Sequence, residues 1–232
     1  MSNPIGWCDK TINPITGCLN GCEYCYARKM AKRQAGRNGY PKDDPFSPTF
    51  HFDKLAAIHG LRGKGKRIFL DSMSDWFGPG IEREWVWATI DAVRNKPDHV
   101  FLVLTKRPDR ISDIIGEMIG HMPANLWFGV SVTCQEDVWR IQQLVSGAWT
   151  KNNFVSFEPL HGPISCDLSG IEWVIIGAES GNRKGKIVPD VEWVDDLFFG
   201  SRGLPIFMKD NLRPIIGDVR GILQEFPEGM QW

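Results

Sequence analysis

At 232 residues, with 42% hydrophobic and 24% charged residues, the chain can bury a sizeable core, which argues against long disorder and removes any need for disulfides. A formal net charge of −1 gives no global attraction for nucleic acid, and no window approaches the roughly 18 apolar residues of a membrane span. The opening MSNPIGWCDK has no cationic start followed by an apolar run, so a cytoplasmic location with reduced thiols is expected.

A first strand is predicted near 5–12, IGWCDKTI, feeding the loop TGCLNGCEYC and then a helix over 26–35. The segment 36–66 breaks the rhythm with Gly, Pro and charge and reads as an elaboration. Short runs apolar on both faces follow at 67–72, 99–105, 126–133, 153–160, 172–180 and 205–210, as buried parallel strands should be. Helix-like segments at 82–95, 108–119, 135–146 and 190–199 separate them. Strand then helix, repeated, predicts an α/β fold. Six or seven such units fall short of the roughly 250 residues of a closed eight-unit barrel, so the expectation is a partial (β/α)6-type TIM barrel in a single domain over 1–232.

In such folds chemistry sits at the C-terminal strand ends. Polar residues recur there: Ser72, Ser74 and Asp75, then Lys106 and Arg107, Ser131 and Thr133, Glu158, Glu179, and Lys209. Basic clusters at 62–67, 106–110 and 183–186 are expected to flank the same mouth and offer contacts for phosphates, although each taken alone reads first as solvated surface.

Three of the six cysteines, Cys18, Cys22 and Cys25, are spaced C-x3-C-x2-C, with Tyr24 just before the last. In a reducing compartment such a cluster binds metal or does chemistry. Zinc would want a fourth ligand, which Cys8 or a histidine could supply. Three cysteines in eight residues favour instead one cuboidal iron–sulfur cluster.

The cysteine loop after a first strand, with TINPITGC, LDSMSDWF, LTKRPDR, WFGVSVT, SFEPLHGPI, WVIIGAESG and PIFMKD in order, resembles the radical S-adenosylmethionine superfamily, in a phage-associated three-cysteine branch of unknown function. The resemblance implies that Cys18, Cys22 and Cys25 hold three irons of a [4Fe-4S] cluster whose fourth iron takes S-adenosylmethionine, with Tyr24 near the adenine. DSMSD stands where the superfamily often has Gly-Gly-Glu, so Ser72, Ser74 and Asp75 would supply the acceptors for the methionine amino group. Lys106 would neutralise a carboxylate, Arg107 would grip a carboxylate or phosphate, and Ser131, Thr133 and Glu158 would hold ribose hydroxyls, with Glu179 a further polar contact.

The implied reaction is reductive cleavage of S-adenosylmethionine to a 5′-deoxyadenosyl radical, driven by an external flavodoxin- or ferredoxin-type reductant. The expected substrate is a modified thymine base in phage DNA within an infected bacterial host, altered by an isomerase- or lyase-type step. The alternatives are a repair enzyme like spore photoproduct lyase, with Cys134 as hydrogen donor, and a noncatalytic zinc- or cluster-containing nucleic-acid-binding accessory protein.

Overall fold

The computed structural model describes residues 5–118, 120–217 and 221–231. In chain order its strands are β1 (Lys10–Ile12), β2 (Ile15–Thr16), β3 (Thr49–Phe50), β4 (Arg67–Leu70), β5 (Val100–Thr105), β6 (Leu126–Ser131), β7 (Asn153–Phe157), β8 (Trp173–Ile176) and β9 (Ile206–Met208). Its helices are α1 (Tyr26–Arg33), α2 (Leu55–His59), α3 (Arg83–Arg94), α4 (Ile111–Ile115), α5 (Trp139–Ser146), α6 (Val191–Gly200) and α7 (Arg213–Ile216). Seven strands form one parallel sheet in the order β1-β4-β5-β6-β7-β8-β9. It curls into the α/β partial barrel expected from the sequence. The β2–β3 pair is antiparallel and lies outside that sheet.

Side-chain alternation splits each strand between two apolar layers. Ile68, Leu70, Phe101, Val103, Phe128, Val130, Val155, Phe157, Val174 and Ile176 join the layer beneath the helices, where α3 contributes Val86, Ile90 and Val93 at helical spacing. Phe69, Leu102, Trp127, Phe154, Trp173, Ile175 and Phe207 form the other layer, inside the barrel, with Trp7 and Met230 from the two ends of the chain. Beyond these apolar residues the inward rows turn polar: Trp127 leads through Gly129 to Ser131, Phe154 to Ser156 and Glu158, and Phe207 to Lys209. The barrel is therefore dry at its base and polar at its mouth. Gly129 is required inside it, because a Cβ there would sit 2.5 and 2.6 Å from ring carbons of Phe154.

Several boundaries differ from expectation for local reasons. β4 stops at Leu70 because Asp71 takes a positive φ of 53°. The helix expected over 108–119 breaks into a 3-10 turn at Pro108–Arg110, α4, and another turn at Gly116–Met118, with residue 119 outside the described residues. The one expected over 135–146 opens as a 3-10 turn, Gln135–Asp137, before α5. The 36–66 elaboration carries β3 and α2 rather than loop alone. The basic loop 62–67 precedes β4, so chain direction puts it at the opposite end of the barrel from the mouth, tied there by the Gly65 N–H to Asp98 C=O bond and the Lys64–Asp98 pair at 3.7 Å. Among the described residues no helix is long and apolar enough to cross a membrane.

Candidate active site

A cavity of about 460 Å³ opens at the C-terminal ends of the strands. Cys18, Cys22 and Cys25 line one side of it, and none of the six cysteines is in a disulfide. Ser72, Ser74 and Asp75 after β4, Lys106 after β5, Ser131 at the end of β6, Glu158 after β7 and Glu179 after β8 line the rest, together with Tyr24. Sequence positions more than 150 residues apart thus meet in one mouth. Arg107, Thr133 and Cys134 are not among the lining residues.

The cysteine loop is held from several sides. Gly17, with φ of 86°, pairs with Ser74 through a backbone bridge, donating its N–H to Met73 C=O at 2.9 Å and accepting the Ser74 hydroxyl at 2.7 Å. Asp75 accepts four bonds: the Asn20 side-chain amide (2.7 Å), the Thr105 hydroxyl (2.6 Å), the Lys106 N–H (3.0 Å) and the Phe77 N–H (3.2 Å). Its carboxylate is filled by the protein, so it positions the loop rather than offering free acceptors. Ser72 donates to Asn13 Oδ1 at 3.0 Å and accepts the Tyr26 hydroxyl on its backbone carbonyl at 2.8 Å, leaving its Oγ lone pairs available. Burial pushes the Cys18 thiol up to about 12, and its sulfur accepts the Asn20 N–H at 3.5 Å.

Tyr24 lies between two groups: its ring meets the His161 ring edge-on at 5.1 Å and takes the Lys106 ammonium at 5.5 Å from its centroid. Burial raises its hydroxyl pKa, and Cys22 adds to the shift. Glu179, 2% exposed, accepts a two-pronged bond from Arg183 at 2.8 and 3.0 Å. His161 Nε2 stands 3.4 Å from Glu179 Oε2. The Arg183 guanidinium holds the Glu179 carboxyl below its ordinary range and reaches Glu23 of the cysteine loop at 3.7 Å. Glu158 pairs with Lys209 in the cavity wall.

Other residues serve locally. Arg107 turns to Asp109 in a two-pronged pair at 3.1 and 2.8 Å. Thr133 bonds Asp137 through both N–H (3.0 Å) and hydroxyl (2.8 Å). Cys134 starts the turn after β6, with its thiol pKa raised by burial first and then by Glu136. Beneath the mouth, burial pushes the Asp71 carboxyl up to about 8 against the lowering effect of bonds from Trp76 Nε1 (2.5 Å) and the Ile15 N–H (2.6 Å). Sequence reading missed Asn13, Asn20 and Ser156. Inward parity two residues before Glu158 would have found Ser156.

Three soft thiols from one loop around a shared cavity, with no fourth cysteine lining it, suit a cluster that keeps one iron open to a small ligand. Among the described residues no group of three or more His, Cys, Asp and Glu side chains is arranged to hold a single metal ion. The α1 N-terminus begins directly after Cys25 with no acidic residue in its first turn, which suits a negatively charged group there.

The fold is shared with solved structures of spore photoproduct lyase. A cysteine-to-alanine variant with dinucleoside spore photoproduct matches at a TM-score of 0.52 and 11% identity, over 85% of this chain and 62% of that one. A tyrosine-to-phenylalanine variant matches at 0.52 and 12% identity, over 80% and 63%. The enzyme complexed with dinucleoside spore photoproduct matches at 0.51 and 11%, over 85% and 62%. This chain thus spans about 62% of the length of those proteins. No curated protein is matched by sequence. The family model described as protein of unknown function (DUF5131) matches residues 2–207, and the chain belongs to that family.

Proposed function

We propose that this chain is a single-domain radical S-adenosylmethionine enzyme that rearranges or cleaves a substituent on a modified thymine base in DNA, in the setting of phage infection. The observation that carries the proposal is the convergence of Cys18, Cys22 and Cys25 with hydroxyl and carboxylate groups of successive strand ends around one cavity. The cluster and S-adenosylmethionine would supply reductive cleavage of a carbon–sulfur bond and a carbon radical able to abstract hydrogen. An external one-electron reductant is required, and a reducing cytoplasm would keep the thiols available.

The chain's own residues have divided tasks. The three cysteines would hold irons. Ser72 and Ser74, whose hydroxyls already donate to Asn13 and Gly17, face a ligand ammonium as acceptors. Glu158 keeps capacity for ribose hydroxyls beside its Lys209 pair, and Ser131 adds a hydroxyl. Lys106 offers a cation for a carboxylate. Trp7, Phe69 and Leu104 line the cavity as apolar surface and exclude water.

A second reading, repair of a thymine photoproduct, is favoured by the shared fold with spore photoproduct lyase in complex with dinucleoside spore photoproduct. In that reading Cys134 would donate hydrogen, and from outside the lining residues it would have to move inward with the turn that follows β6. The test is anaerobic reconstitution with iron and sulfide, followed by visible absorption and electron paramagnetic resonance with and without S-adenosylmethionine. A four-iron signal that shifts with S-adenosylmethionine and is lost in Cys22→Ala supports the proposal. Stoichiometric zinc in a colourless protein that never cleaves S-adenosylmethionine, even with an oligonucleotide present, replaces it with the accessory-module reading.

A further inference from the structure

We infer that Trp7, Ser156 and Lys209 form the part of the cavity that reads the substrate base, and that they select a pyrimidine-2,4-dione, the ring of thymine and uracil. The inference rests on the proposed function and deepens it. Trp7 is 2% exposed and Ser156 1% exposed, and both line the cavity. Neither the Trp7 indole N–H nor the Ser156 hydroxyl has a hydrogen-bond partner among the described residues. Buried polar atoms in folded proteins are nearly always satisfied, so two orphans in one cavity wall point to a ligand that completes them.

Lys209 adds the third group. It follows β9, two residues after the inward-facing Phe207, lines the cavity, and among the described residues its ammonium is bonded to Glu158 alone, which leaves two N–H donors for a ligand. The pair spans from the end of β7 to the end of β9 across Gly177, where a Cβ would lie 2.9 Å from Lys209 Cδ and 3.1 Å from Glu158 Cδ. The bare backbone at Gly177 is thus what lets the pair cross the intervening strand. Ser156, on β7, sits two residues before Glu158 and shares its inward parity.

The donor pattern defines the ligand. The Trp7 indole and the Lys209 ammonium only donate, and the Ser156 hydroxyl does either. Glu158 offsets the Lys209 charge, so the site favours an uncharged group. The Trp7 and Phe69 rings, with centroids 4.6 Å apart, and Leu104 give it apolar walls. A flat, uncharged ring bearing two carbonyl acceptors meets these demands. Cytosine sets an amino group against one of the donors, and adenine carries no carbonyl.

The experiment compares equilibrium binding of thymidine and 5-methyl-2′-deoxycytidine to the full chain. The two share sugar and methyl group and differ at the carbonyl-bearing edge. Thymidine is expected to bind at least about tenfold more tightly, the scale of one good hydrogen bond to a buried group. Trp7→Phe, which keeps an aromatic ring and removes the N–H, is expected to lower thymidine affinity about tenfold with little change for the methylated cytidine. Ser156→Ala is expected to act in the same direction, and a thermal melt of each variant separates lost binding from lost folding. Equal affinity for the two nucleosides, no binding of either, or thymidine affinity indifferent to both substitutions overturns the inference. Cleavage of S-adenosylmethionine is assayed separately. Cleavage without base discrimination sinks this inference alone, and discrimination without cleavage sinks the radical-enzyme reading alone.

Discussion

The side-chain amide of Asn20 donates to the Asp75 carboxylate at 2.7 Å, and that contact fastens the cysteine loop to the segment that follows β4. Asp75 also gathers Thr105 and the Lys106 backbone, so one carboxylate joins three chain segments around the mouth. Asp75→Ala leaves four donors without their acceptor and is expected to cost about 3 kcal/mol, with Asn20→Ala costing about 1 kcal/mol. Urea denaturation of the apoprotein measures both. A loss below that of Asn20→Ala in the Asp75 variant would show that the carboxylate is not the junction described.

Gly17 sets the entry to the same loop. Its φ of 86° and the 2.8 Å that a Cβ would leave to the Phe46 carbonyl oxygen, with the Ser47 carbonyl closer still, admit no side chain. Gly17→Ala is expected to lower stability by about 2 kcal/mol or more and to reduce iron retained after reconstitution, because Cys18 must move with its neighbour. Iron content per folded chain is the deciding measurement, and full retention would count against the steric argument.

Asp71 makes a prediction about pH. Its folded pKa, about 8, lies above the ordinary 3.8, so the native state holds a proton that the unfolded chain releases. Its contribution is complete below about pH 4 and is lost as pH rises toward 8, so this group makes stability decline across that interval. In Asp71→Asn that slope is expected to flatten, while lost acceptor capacity toward Trp76 or Ile15 lowers stability at acid pH. Denaturation midpoints from pH 4 to 9 for both proteins check the sign.

Inside the barrel, Gly129→Ala drives a methyl into the Phe154 ring and is expected to cost about 2 kcal/mol. Phe154→Leu alone also destabilises, by leaving space among Trp7 and Trp173. Combined, the two are expected to cost less than their sum, because the smaller side chain accepts the methyl. Simple additivity in thermal melts would remove the packing explanation.

Strands β4 to β9 were legible because their runs are apolar on both faces, and their C-terminal ends were legible because polar residues interrupt the run there; β1, with Lys10 exposed, and the two-residue β2 and β3 carry no such signal. Cys18, Cys22 and Cys25 stood out by spacing alone. What escaped was direction and parity. The 62–67 loop is a basic cluster as 106–110 is, yet one precedes a parallel strand and the other follows one, which puts them at opposite ends. Ser156 lies inside a strand, where a lone serine looks incidental until its inward face is counted. Arg107 was read as a ligand clamp, but Asp109, two residues on, captures it, as local partners do. Asp75 lines the mouth, and the unforeseen feature was how many donors from the chain itself would claim it.

The barrel interior draws on both ends of the sequence. Trp7 packs on Phe69 and Trp173, while Phe226 packs on Trp173 and Phe207 and takes the Arg67 guanidinium at 3.8 Å from its ring centre. Trp173 Nε1 donates to the Glu225 carbonyl at 3.0 Å, closing the same seam. During synthesis, then, the strands can pair one after another as they leave the ribosome, but the inner layer stays unsealed until Phe226 and Met230 emerge. Until those two residues emerge the nascent chain would carry an exposed aromatic lining, and iron delivered before that point would meet a cysteine loop whose barrel is still open to water.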